Sequence, residues 1–134
     1  MPHLVILYTR QLDAETDMDQ LCRSLCDAML AVKDESGKQV FPTGGTRVLA
    51  YPAAHSAVAD GQRDYTFIYM NVRMAKGRSA VVHQSVGDTL VAAAKVHLAP
   101  LFEQRYIGMT VQIDEGHEVF DAKHSTIHPL FQKS

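Results

Sequence analysis

Three residues of this 134-residue chain have types and positions that an enzyme could use: Pro2, Arg47 and Arg78. Removal of Met1 from the Met-Pro start would leave Pro2 with a free secondary amine. Such an amine acts as a general base when its pKa lies near the working pH. Burial in an apolar pocket lowers an amine's pKa because it disfavours the charged form, and neighbouring arginines push the same way. Leu4, Phe41 and Phe67 are the expected apolar walls. Many chains begin Met-Pro to no effect, but here Pro2 stands directly before an apolar run that would fix the amine in place. Arg47 follows Thr46 where a strand should begin, and Arg78 precedes Ser79 where a helix should begin. A guanidinium presents a planar fork that fits a carboxylate. A helix N-terminus adds unpaired backbone N–H groups, which also favour anions. Each arginine taken alone also reads as a solvated surface charge.

These residues need elements to hold them. Residues 3–9, His-Leu-Val-Ile-Leu-Tyr-Thr, read as a buried strand. Polar residues 13–17 end it, and Thr16 or Asp17 can cap a helix. Met18, Leu21, Cys22, Leu25, Cys26, Met29 and Val32 then recur at steps of three and four, which makes that helix amphipathic. Residues 34–39 end it at Gly37, and residues 46–51 read as a second strand, completing one βαβ unit. The pattern then repeats, with a strand over 63–74, a turn over 75–79, a helix over 79–104 and a strand over 106–114. The halves share a pattern and almost no residue identity. The reading is one α/β domain over 1–134, with halves at about 2–60 and 61–115 and a C-terminal arm at about 116–134. The arm is polar, ends in Ile127, Leu130 and Phe131, and is expected to pack on a neighbouring subunit. Pro100 inside the second helix removes a hydrogen bond and clashes with the preceding turn, at about 3 kcal/mol, so a kink or break is expected there.

Composition narrows the function. The net charge is −2 and the 13 basic residues are scattered, so no groove for nucleic acid is expected. No apolar stretch approaches the roughly 20 residues that span a bilayer, and no signal peptide is apparent, so a cytoplasmic protein is expected. Cys22 and Cys26 lie one helical turn apart and read as small buried hydrophobes. His117, His124 and His128 lack the His-Glu-x-x-His spacing of a zinc helix, and no phosphate-loop pattern occurs. No metal site is therefore expected. A chain this short leaves much apolar surface uncovered when alone. Leu4, Ile6, Phe67, Tyr69 and Val111, at alternating strand positions, are expected to form an apolar sheet face that other subunits cover.

Several motifs give the chain a family resemblance. They are Met1-Pro2-His3 before a strand, Phe41-Pro42-x-x-Gly45-x-Arg47, Ala59-Asp60-Gly61-Gln62-x-Asp64-Tyr65-x-Phe67, Gly77-Arg78-Ser79, and Ile127-His128-x-Leu130-Phe131. With these motifs the chain resembles the 5-carboxymethyl-2-hydroxymuconate isomerase family of the tautomerase superfamily over about residues 2–131. The resemblance implies tandem βαβ units joined into one four-stranded mixed sheet, covered by two helices on one face. It implies a homotrimer with active sites at subunit boundaries, and a cofactor-independent isomerase acting on a small enol or keto carboxylate from aromatic catabolism. It implies that Pro2 is the catalytic base and that Arg47 and Arg78 bind substrate. Two other readings stay open: a phenylpyruvate-type keto–enol tautomerase, and a non-catalytic trimeric binding module.

Overall fold

The computed structural model describes residues 2–132. Four strands, β1 (His3–Thr9), β2 (Arg47–Ala53), β3 (Tyr65–Ala75) and β4 (Tyr106–Gly116), and two helices, α1 (Met18–Ala31) and α2 (Ala80–Gln104), follow in the order β1-α1-β2-β3-α2-β4. Short 3-10 turns lie at Arg10–Ala14, Thr43–Gly45 and His128–Phe131. Both long helices start where the sequence supplies an acceptor for an orphan N–H. Asp17 Oδ1 accepts from the Gln20 amide at 3.0 Å, and Ser79 Oγ accepts from the Val82 amide at 3.2 Å.

The sheet order is β2-β1-β3-β4. β1 and β2 run parallel, β3 and β4 run parallel, and β1 and β3 join the two pairs antiparallel. This is the four-stranded mixed sheet of tandem βαβ units that the resemblance implies, a tautomerase-like fold. Pro52 is tolerated because β2 is an edge strand. Leu4 pairs with Val72 and Ile6 with Met70, and these side chains form one core with Leu21, Leu25 and Met29 of α1 and Val86, Leu90 and Leu98 of α2. Both helices therefore cover the same sheet face.

The register corrects the expected apolar face. Val111 stands opposite Met70, so Leu4, Ile6 and Val111 all point toward the helices, and Leu4 and Ile6 are fully buried within the chain. The other face carries Leu7, Leu49, Tyr51, Phe67 and Tyr69. Phe67 is 36% exposed, Leu7 48% and Tyr51 51%. Alternation within each strand gives two faces, but only the pairing between strands says which residues share one.

Pro100 gives a second correction: α2 runs unbroken across it to Gln104. Pro100 lies on the exposed side of the helix. The carbonyl that loses its partner belongs to Val96, a residue 79% exposed, so water can replace the missing N–H.

Candidate active site

Pro2 is buried, at the N-terminal end of a strand flanked on both sides by others. A cavity of about 550 Å³ opens there. One wall is the segment between α1 and β2, with Val40, Phe41, Pro42 and Gly45. A second is the connection from β3 to α2, with Met74, Ala75 and Arg78. The third is the C-terminal arm, with Lys123, Ser125, His128 and Pro129. Val40, Phe41 and Met74 are buried, so the surroundings of Pro2 are largely apolar.

Local hydrogen bonds set each wall. The Val40 amide donates to the Val32 carbonyl at 3.0 Å, which ties the loop back to the end of α1. Thr46 Oγ1 donates to the Pro42 carbonyl at 2.7 Å, and the Gly45 amide donates to the same oxygen at 3.1 Å. Gly77, at φ +103°, makes the turn that brings Arg78 to the head of α2. There Arg78 Nη2 donates to the Val40 carbonyl at 3.0 Å, joining the second wall to the first. The Asp34 carboxyl is held below its ordinary range, first by the Ser36 hydroxyl and then by the Lys38 amide, with a smaller contribution from Arg78.

Part of the arm rests against its own chain, while Ile127, Leu130 and Phe131, the residues expected to meet a neighbouring subunit, are exposed. A Cβ built on Gly44 would meet the Cα of His128 at 2.5 Å and its backbone nitrogen at 3.1 Å. Ser125 Oγ accepts from the amides of Ile127 at 3.0 Å and His128 at 3.2 Å, which fixes the turn that presents His128. Lys123 is ion-paired with Asp121 at the arm's surface.

Of the three residues singled out from the sequence, Pro2 and Arg78 line this cavity and Arg47 does not. Arg47 opens β2 directly opposite His3. Its neighbour Val48 packs on the core, so Arg47 faces the uncovered side of the sheet. The His3 imidazole there has its pKa lowered, first by burial and then by the charge of Arg47. Two of the expected apolar walls also fall elsewhere. Leu4 is core, and Phe67 is at the far end of β1 from Pro2, where its amide donates to Thr9 Oγ1 at 3.0 Å. Sequence reasoning missed Val40, Met74 and the four arm residues. The closing Ile127-His128-x-Leu130-Phe131 motif was the one signal that the arm belongs to the site.

Three side chains in the lining, Arg78, Lys123 and His128, carry or can take a positive charge, and no carboxylate lines the cavity among the described residues. An apolar chamber with cationic donors at its walls suits an organic anion. Whether Met1 remains on Pro2 falls outside the described residues.

Comparison with known proteins places this geometry in a family. The family model for 5-carboxymethyl-2-hydroxymuconate isomerase matches residues 2–131. A 5-carboxymethyl-2-hydroxymuconate Delta-isomerase of Escherichia coli is 28% identical over 132 residues, covering 98% of this chain and all of that one. The crystal structure of a 5-carboxymethyl-2-hydroxymuconate delta-isomerase superposes with a TM-score of 0.96 at 55% identity, covering 100% of this chain and 95% of that one. A 5-carboxymethyl-2-hydroxymuconate isomerase from Deinococcus radiodurans R1 superposes at 0.87 with 32% identity, covering 98% and 95%. With the family model matching nearly the whole of this chain, the chain belongs to the 5-carboxymethyl-2-hydroxymuconate isomerase family and is an isomerase.

Proposed function

We propose that this chain isomerises 5-carboxymethyl-2-hydroxymuconate as a homotrimer, with the amine of Pro2 as general base and no cofactor. The observation that carries the reading is the placement of Pro2: buried at the end of a central strand, in a largely apolar cavity that also holds Arg78 and, among the described residues, no carboxylate. The base must be neutral at working pH. An ordinary α-amino group titrates at about 7.7–8.0 and a proline amine starts higher. Val40, Phe41 and Met74 disfavour the ammonium form by desolvation, and the charge of Arg78 acts in the same direction. Pro2 then takes the proton of the 2-hydroxyl group and returns it to a distal carbon, giving the conjugated ketone. Arg78 stabilises the charge that develops on the oxygen and on the adjacent carboxylate. The dienol is already acidic, so the proton transfer needs no metal to activate it. Arg47, on the open sheet face, would serve the cavity of a neighbouring copy, which is how a site at a subunit boundary would be completed.

The decisive comparison changes the amine and leaves every side chain in place. Two matched samples are prepared, one with Met1 removed and one with Met1 retained, and each is verified by mass spectrometry. Ketonisation of the dienol is followed by its ultraviolet absorbance. With Met1 retained, the proline nitrogen is an amide without a usable lone pair, and turnover should nearly vanish. Equal activity in the two samples would exclude Pro2 as the base.

A further inference from the structure

Among the described residues, the body of the domain lines the cavity with one guanidinium, that of Arg78, while the arm lines it with the Lys123 ammonium and the His128 imidazole. On the reading above, the substrate carries three carboxylates: the two ends of the muconate chain and the carboxymethyl branch. Arg78 and a neighbouring copy's Arg47 together still leave one of the three anionic groups unmatched. We infer that Lys123 and His128 bind a substrate carboxylate other than the one held by Arg78, and that the arm thereby selects polycarboxylated dienols over monocarboxylated enols. This inference deepens the proposed function and rests on it.

The arm is built to present these two side chains. The Gly44 backbone lies against His128, and Ser125 Oγ accepts from two successive amides at the turn before it. The backbone that carries the imidazole is therefore held from two directions. Lys123 is ion-paired with Asp121, but both are about half exposed, where such pairs are screened and weak. An ammonium group has three donors, so Lys123 can keep Asp121 and still donate to an incoming carboxylate. An arm serving only as a wall would need no such donors, and its loss would weaken every substrate alike. An arm that reads charge discriminates by the number of carboxylates.

Steady-state kinetics on three acids test this: 5-carboxymethyl-2-hydroxymuconate, 2-hydroxymuconate and the enol of phenylpyruvate, with three, two and one carboxylates. Lys123→Met combined with His128→Gln should raise KM for the tricarboxylate by on the order of 10- to 100-fold, with kcat much less changed. KM for the monocarboxylate should move by no more than about twofold on the same basis. Lys123→Arg should keep the wild-type preference. Should the double variant fail to fold, Lys123→Met alone decides, because Lys123 sits on an exposed stretch of the arm. Equal losses on all three acids, or no change on any, would overturn the inference while leaving the proposed function standing. A wild-type protein that turns over none of the three would overturn the proposed function, and this inference with it.

Discussion

Gly44 and His128 touch backbone to backbone: a Cβ on Gly44 would fall 2.5 Å from the Cα of His128. Neither side of that contact is a flexible side chain that could swing away. Gly44→Ala should therefore lift the arm from the cavity. The arm carries none of the buried core, so the melting temperature should fall by only a few degrees, as expected for about 1 kcal/mol in a domain of this size. The value of kcat/KM should fall by roughly 10- to 100-fold, chiefly through KM. Amide hydrogen exchange at Ile127 and His128, now protected by Ser125, should speed up. Wild-type exchange and kinetics in this variant would show that the arm is not latched there.

Arg78 and Arg47 should both matter, in ways that separate them. Arg78→Ala removes a guanidinium from the cavity wall and should lower kcat/KM by about 10- to 1000-fold. Arg78→Lys should restore little, because an ammonium cannot bond the Val40 carbonyl and a carboxylate with the same fork. Arg47→Ala should also lower turnover, but by removing a group from another subunit's cavity. Subunits blocked at Pro2 and subunits carrying Arg47→Ala, each impaired as pure assemblies, should together exceed the sum of their separate activities when refolded as mixed assemblies. No recovery on mixing would place Arg47 at its own chain's site or outside the chemistry.

How much was legible beforehand follows from how local each signal is. The strand His3–Thr9 and the helix starts at Asp17 and Ser79 could be read directly, because periodicity and capping reside in a few consecutive residues. Pro2 and Arg78 could be named for their chemistry and their places at element ends. What could not be read was pairing between distant segments. The mixing of Leu4 and Phe67 on one face was an error of register, which no single strand contains. The contact of Gly44 with His128 leaves no periodic mark, so the arm's share in the cavity stayed hidden. Pro100 misled in the other direction: the rule for helix interiors assumes an orphaned carbonyl without water, and Val96 is open to solvent.

His3 should make stability depend on pH. Its pKa in the folded chain is lowered from the ordinary 6.5, first by burial and then by Arg47. Below 6.5 the unfolded chain takes up the proton first, so acid favours unfolding. The stability contributed by neutral His3 is complete above 6.5, declines as the pH falls through 6.5 toward the lowered value, and levels off below it. Melting curves recorded across that window should show a decline that is shallower in His3→Gln. Parallel pH profiles for the two proteins would assign the decline to other groups.

The uncovered sheet face should decide the assembly. Leu7, Leu49, Tyr51 and Phe67 lie exposed on it with Tyr69 beside them, while Tyr8, their counterpart on the helix side, is buried. Apolar side chains side by side on a pleated surface gain roughly 25 cal/mol for each Å² of apolar area removed from water, so cover by other copies favours assembly, and the proposed trimer packs these faces inward. Light scattering should give three times the 14.8 kDa chain mass at micromolar concentration. Leu7→Glu places a carboxylate in the middle of that face without touching the core, and should shift the protein toward monomer. The cavity around Pro2 is built from one chain's own segments and should survive in that monomer, so the enol acid should still bind, though more weakly. Turnover should fall to the level of Arg47→Ala, because the monomer has no neighbour to supply that arginine. A wild-type protein that is monomeric at micromolar concentration and fully active would sink both the trimer and the role given to Arg47.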